Sequence, residues 1–131
     1  MADTIVSGIN LAPLQSAFKK FEQFRLHILD EQDRAGAIQA FEFCFELSWK
    51  TIKRILFQKG IDVRSPRDAF REAAANELIR DPKIWFQFIE KRNLTSHTYN
   101  EDVAEEAYIA AKKFSTAAKK LLVRLEKIYG A

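Results

Sequence analysis

Apolar residues recur three and four apart along most of the chain, the repeat of helices that lay one face on a core. From Leu11 to Leu29 the stripe is Leu11, Leu14, Phe18, Phe21, Arg25 and Ile28. It predicts a first helix with Asn10 as N-cap and Pro13 tolerated in the first turn. Arg25 interrupts the stripe and reads as an arginine with its stem along the bundle edge and its charge in water. A second helix is expected after Asp33, a good cap, and before Gly60, which suits the C′ position. Ile38, Phe41, Phe45, Ile52 and Ile55 form its stripe. Phe43, Cys44, Leu47 and Trp49 widen that stripe beyond one face. Such a helix is expected to be covered from two directions, by its own bundle and by a second copy of the chain.

The chain is then punctuated. In Ser65-Pro66-Arg67-Asp68 the serine caps, the proline takes the first helical position and the aspartate favours the helix N-terminus. A short helix is expected from there to about Ile79. Asp81-Pro82 repeats the signal ahead of the helix "KIWFQFIEKRNL". The last helix should open between Thr98 and Asn100, where Thr98 and Glu101 have the T-x-x-E spacing of a capping box. It should run to Tyr129 and stop at Gly130. Val103, Ala107, Ala110, Phe114, Ala117, Leu121 and Ile128 keep the heptad-like spacing of an antiparallel bundle. The pattern predicts an all-α fold, an antiparallel up-and-down four-helix bundle with one additional short helix. It also predicts a single domain over residues 1–131, with a flexible N-terminus at residues 1–9.

Composition narrows the class. With 131 residues the chain is the size of one domain and can hold a core unaided. An apolar fraction of 47%, including 11 Phe, excludes a disordered polymer. Four Gly and three Pro are too few for a turn-rich all-β fold. The single cysteine, Cys44, excludes an intramolecular disulfide and fits a reducing, cytoplasmic compartment. Its place in an apolar arc predicts a buried thiol. "MADTIVSGIN" has no basic or apolar signal-peptide region, and no apolar run is long enough for a membrane span. No membrane association is expected.

Charge is uneven around a net of +3. Residues 50–92 hold 11 Lys/Arg against 6 Asp/Glu, and residues 93–106 hold four acids and no Lys or Arg. A basic middle of this kind either attracts a polyanion or forms ordinary solvated helix faces.

At the boundary between those regions lies "KRNLTSHTYN", residues 91–100. On an unbroken helix Arg92 and His97 would point about 140° apart. The cap signals at Thr98 and Asn100 supply a bend that could bring them together. Histidine is the usual proton carrier near neutral pH, and arginine is the usual fork for a phosphate. The pair suits metal-independent attack on RNA, with His97 taking the 2′-hydroxyl proton, Arg92 holding the scissile phosphate and Asn93 orienting base or phosphate. The spacing by itself is a weak signal, and a helix junction with no chemistry is the plainer reading of it. Glu42 and Glu46 share a face of the second helix, with Lys50 one turn on. They read either as accessory carboxylates near that site or as part of a surface ion pair. No HxxxH, Cys cluster, DxD or Gly-rich phosphate loop occurs, so no metal or cofactor is expected.

"RNLTSHTY" resembles the R-x4-H-x-Y form of HEPN-domain, HepT-like proteins. "DRAGAIQAFEFCFELSWKTIKRIL", "SPRDAFREAA" and "RNLTSHTYNEDVAEE" resemble the nucleotidyltransferase substrate-binding proteins, over about Leu14 to Leu125. The resemblance implies a homodimer whose two motifs line a shared cleft. It also implies a hetero-oligomer with a separate minimal nucleotidyltransferase, MntA-like. In the toxin–antitoxin version the HEPN protein is a ribonuclease acting on RNA, and its partner neutralises it by transferring AMP to the motif tyrosine. Carried over, Arg92 and His97 are the catalytic pair, Asn93 an accessory residue and Tyr99 the modification site. The same family also supports another role, a non-catalytic subunit that binds substrate for the nucleotidyltransferase.

Overall fold

The structure, a computed structural model, describes residues 5, 6 and 8–130. Five α-helices follow a short antiparallel pair, β1 (Ile5–Val6) and β2 (Ile9–Asn10), in which Val6 faces Ile9. The helices are α1 (Ala12–Leu26), α2 (Glu31–Gln58), α3 (Pro66–Ala75), α4 (Pro82–Asn93) and α5 (Glu101–Tyr129), with a 3-10 turn at Leu94–His97 between the last two. The fold is all-α, as the periodicity predicts; the strand pair had no signal in the pattern. The flexible segment expected at residues 1–9 falls mostly outside the described residues, but Ile9 is buried in the core. Among the described residues no helix is long and apolar enough to cross a membrane.

Local chemistry sets the boundaries. The cap position of α1 falls on Leu11, which makes no side-chain cap bond, and not on the expected Asn10, although Asn10 Oδ1 accepts from Ala12 N. The first helix stops at Leu26, earlier than the stripe to Leu29 predicts. His27 leaves the helical region (φ −127°, ψ 54°), and its Nδ1 lies 2.8 Å from Gln23 O. The second helix starts earlier than expected, because Asp30 is its cap. Asp33 N donates to Asp30 Oδ1, and Leu29 N donates to Asp33 Oδ2. At its other end Gly60, with φ 84°, is the expected C′ residue, and Ile61 N reaches back to Leu56 O. Only glycine takes that left-handed conformation without cost. The short helix ends at Ala75, not Ile79, in the same Schellman arrangement. Leu78 N bonds Ala73 O, and Glu77 sits at φ 63° without a glycine. Ser65 and Asp81 cap α3 and α4 as expected, each before a proline.

The core is aromatic. Phe114 of α5 lies against the rings of Phe21, Phe41, Phe45, Trp85 and Phe88, with centroids 5.1 to 6.4 Å away. Most of these contacts are edge-on, the geometry the ring quadrupole favours. One side chain thereby ties α1, α2 and α4 to α5. The face of α5 turned inward includes Ala104, Ala111, Leu122 and Leu125, and Ile128 is exposed. The buried arc is thus wider than the heptad stripe and ends a turn earlier. Cys44 is buried, as expected, and desolvation pushes its thiol up to about 12. On α2 the expected second cover is not supplied among the described residues, since Phe43 stays 61% exposed.

Candidate functional site

The junction between α4 and α5 carries the motif. Phe88, buried against Trp85 and Phe114, anchors α4 one turn before Arg92. Asn93 then ends the α-helix, and the 3-10 turn follows with its tighter repeat. Thr95 Oγ1 donates to Arg92 O at 2.6 Å and Ser96 Oγ to Asn93 O at 3.4 Å, so the motif's own hydroxyls occupy carbonyls left open at the helix end. Asn100, not Thr98, caps α5. Its Oδ1 accepts from Asp102 N and Val103 N. The bend expected at the caps is present, and the 3-10 segment makes it longer than a simple cap-to-cap turn.

That bend separates the motif into two groups. Arg92 turns inward to α2, where its Nη2 lies 2.7 Å from Glu46 Oε1. Its guanidinium carbon stands 5.5 Å from the centre of the Phe45 ring. Trp49 Nε1 donates to the other Glu46 oxygen at 3.1 Å. Lys50 approaches Glu46 at 3.9 Å, the i,i+4 pair that the sequence offered as the plainer reading. Arg92 Nε is buried and has no partner. A guanidinium with one nitrogen paired and another orphaned is costly unless something else satisfies it. His97 and Tyr99 stand outside this group. Tyr99 is 86% exposed, its hydroxyl is 3.5 Å from His97 Nδ1, and the two rings meet edge to face. Among the described residues no hydrogen bond joins Arg92 to His97.

Of the expected accessory residues, Glu46 meets Arg92 directly. Glu42, one turn earlier, makes no hydrogen bond or ion pair among the described residues. Asn93 is exposed, with only its carbonyl engaged. Two participants were missed. Trp49 was read only as part of an apolar arc, and Phe45 only as core. The i,i+3 spacing of Glu46 and Trp49 on one helix face was the available signal for the first. Nothing local could place Phe45 under an arginine from another helix. Among the described residues no group of three His, Cys, Asp or Glu side chains could hold a metal ion.

Residues 9–127 match the family described as "Nucleotidyltransferase substrate binding protein like". The chain belongs to this family. It is also 37% identical over 134 residues to a Haemophilus influenzae protein named "Probable ribonuclease HepT", covering 89% of this chain and 92% of that one. Among solved structures it is similar to a Thermus thermophilus protein, with a TM-score of 0.80 at 28% identity over 86% of this chain and 98% of that one. A second similar structure is HI0074 from Haemophilus influenzae, described as having the fold of a substrate-binding domain of a nucleotidyltransferase. There the TM-score is 0.79 at 34% identity, over 89% of this chain and 99% of that one. Family members thus carry two kinds of description, a ribonuclease and a substrate-binding domain, on one helical fold.

Proposed function

We propose that this chain is a metal-independent endoribonuclease of the HEPN type, working as a homodimer and paired with a minimal nucleotidyltransferase that modifies Tyr99. The observation that carries the reading is the division at the motif. An anchored arginine with an unsatisfied, buried Nε stands on one side of the bend, and an exposed histidine–tyrosine pair on the other. Glu46 and Phe45 hold the guanidinium at a set angle, which is how an anion-binding arginine is preorganised. His97 is open to a substrate and takes the proton of an RNA 2′-hydroxyl. The 2′-oxygen attacks phosphorus to close a 2′,3′-cyclic phosphate, the bond to the 5′-oxygen breaks, and that oxygen takes a proton from an imidazolium or from water. Arg92 balances the charge that builds on the phosphate oxygens. In a dimer the two motifs line one cleft, which brings an arginine and a histidine to the same phosphate. The exposed Tyr99 hydroxyl fits a group-transfer target. Its oxygen attacks the α-phosphorus of ATP and releases pyrophosphate. The AMP it gains sets an anion beside His97 that competes with RNA for Arg92. The neighbour named as a ribonuclease supports this reading.

A second reading, a non-catalytic substrate-binding subunit of a nucleotidyltransferase, is favoured by the Arg92–Glu46 pair, which already occupies part of the guanidinium. One experiment separates the two. The purified chain, free of partner and in EDTA, should cleave RNA, and His97→Ala should lose roughly 100-fold or more of that rate. Cleavage that EDTA abolishes, or that His97→Ala leaves intact, sinks the ribonuclease mechanism. Incubation with the nucleotidyltransferase and ATP should add an AMP mass to the Tyr99 peptide, whereas label found only on another molecule supports the binding-subunit reading.

A further inference from the structure

Most cations of the basic middle have a carboxylate or an aromatic ring beside them. In the basic middle, Lys50 and Arg92 meet Glu46, Arg64 meets Asp62, Arg71 meets Asp68 and Lys91 meets Glu106. Lys53 and Arg67 lie over the rings of Trp49 and Phe86. The C-terminal half of α5 is different. Between residues 112 and 127 it carries six Lys/Arg and one acid, Glu126, which accepts from Gln15 at 2.7 Å. None of those six forms an ion pair among the described residues.

Five cations converge on one groove of about 640 Å3 between α1 and α5: Arg25, Lys119, Lys120, Arg124 and Lys127. One carboxylate, Glu22, lines the groove, and it is already neutralised. Arg25 donates to both its oxygens, at 2.6 and 2.9 Å, and Ser115 Oγ donates to it at 2.8 Å. The Arg25 hydrogen bond holds this carboxyl below its usual range against the opposing effect of burial. Arg124 is set in place from the far side, its Nε donating to the carbonyl of Glu77 at 2.9 Å. No aromatic side chain lines the groove. Bases would have nothing to stack on, so any nucleic acid here is held by its phosphates.

We propose that the groove between α1 and the C-terminal half of α5 is a track for the phosphate backbone of RNA, separate from the Arg92/His97 motif and indifferent to base sequence. The proposal rests on RNA being the substrate of this protein. Lys120 stands 19 residues after Glu101 (120 − 101), about 28 Å along the helix from the motif end. At about 3.4 Å per nucleotide of a stacked strand, an RNA must exceed roughly eight nucleotides to reach both. The track therefore adds to binding at the motif only for RNAs long enough to span both.

The test is fluorescence anisotropy with a 20-nucleotide unstructured RNA across a salt series, on full-length protein carrying His97→Ala so that nothing is cut. Adding Lys119→Ala, Lys120→Ala and Lys127→Ala should weaken binding roughly tenfold or more at low salt. The slope of log affinity against log salt should fall by about 2, the value for three lost phosphate contacts on a single strand. The same changes should cost a four-nucleotide RNA less, since it offers the groove fewer phosphates. All three lysines are exposed, so an unchanged melting curve shows that the variant is folded. Equal affinity and equal slope for the two proteins overturn the track, as does a parent that binds no RNA. So does a variant that keeps RNA but loses the nucleotidyltransferase partner, which makes the groove a protein-docking face. If binding falls as expected while the unaltered protein cuts no RNA, the track stands and the ribonuclease reading fails. If RNA is cut but binding ignores the lysines, the reverse holds.

Discussion

The two halves of α5 use charge in opposite ways. At the N-terminal end the acids are engaged by other helices. Arg34 of α2 reaches Glu101 with both terminal nitrogens, at 2.7 and 2.9 Å, and Glu105 at 3.5 Å, while Lys91 of α4 pairs with Glu106. Acids in the first turn also suit the positive end of the helix dipole. These contacts hold the junction that carries Arg92, His97 and Tyr99. At the C-terminal end Lys119, Lys120, Arg124 and Lys127 line a groove and take no carboxylate from a neighbour among the described residues. Charge engaged in architecture is unavailable to a ligand, and charge left unpaired on a folded surface raises the local potential. The helix joins a scaffolded motif to an open electrostatic face, with Phe114 near the changeover.

Phe114→Ala should disturb both halves and have the greatest effect. The ring contacts α1, α2 and α4 at once, so the whole of α5 should loosen together. A loss of about 3–5 kcal/mol is expected in chemical denaturation, typical of a deleted core phenylalanine. A loss under about 1 kcal/mol would mean that the ring cluster is not the common anchor. Asn100→Ala should act on one half alone. It removes the cap that accepts from Asp102 N and Val103 N, at a cost of about 1 kcal/mol. Hydrogen exchange should quicken over the first turn of α5 and leave the amides around Lys119 and Lys120 unchanged. Exchange that quickens equally in both places would show that the halves are not separable.

The smallest effect is one of pH. Arg34 holds the Glu101 carboxyl below its usual value, and Arg25 does the same for Glu22. A carboxyl lowered in the folded state stabilises above its unfolded value near 4.5 and loses that contribution as pH falls through its folded value. Both groups therefore favour folding at neutral pH and lose that effect in acid. Glu101 is exposed, whereas Glu22 is partly buried and shared between Arg25 and Ser115. In thermal melts from pH 7 to pH 3, Glu22→Gln should flatten the acid slope more than Glu101→Gln, whose exposed carboxylate is screened by water. The opposite ranking would place the stronger coupling at the motif end.

Much of this was legible in the chain. Ser65-Pro66 and Asp81-Pro82 act as caps because proline presets the first helical residue and a short polar side chain meets the free amides behind it. Gly60 stops α2 because of its freedom at positive φ. Such signals are local, and local physics acts on them. The ends of α1 and α3 were overestimated because their apolar residues continue past the helices. Ile28 and Leu29 follow a break at His27, and Leu78 is buried beyond a left-handed Glu77 that no composition rule would choose. An apolar stripe reports what faces a core and leaves open whether the backbone stays helical while doing so.

The motif shows the same limit at the level of chemistry. Residue types offered Arg92 and His97 as a pair, the family resemblance added Tyr99, and the predicted bend at the junction is present. That Arg92 would turn to Glu46 and Phe45 instead of His97 depends on the packing of α4 against α2, with Phe88 setting its height. Charge followed the same division. Residue order alone makes residues 50–92 basic, and it also carries the helices, most of their caps and the motif. The packing of helix on helix then gives most of those cations a partner and leaves the lysines of 112–127 without a carboxylate among the described residues. Propensity and periodicity act over a few residues of one segment. Which charge is neutralised depends on which helix lies alongside, and helices far apart in sequence become neighbours only when the core closes.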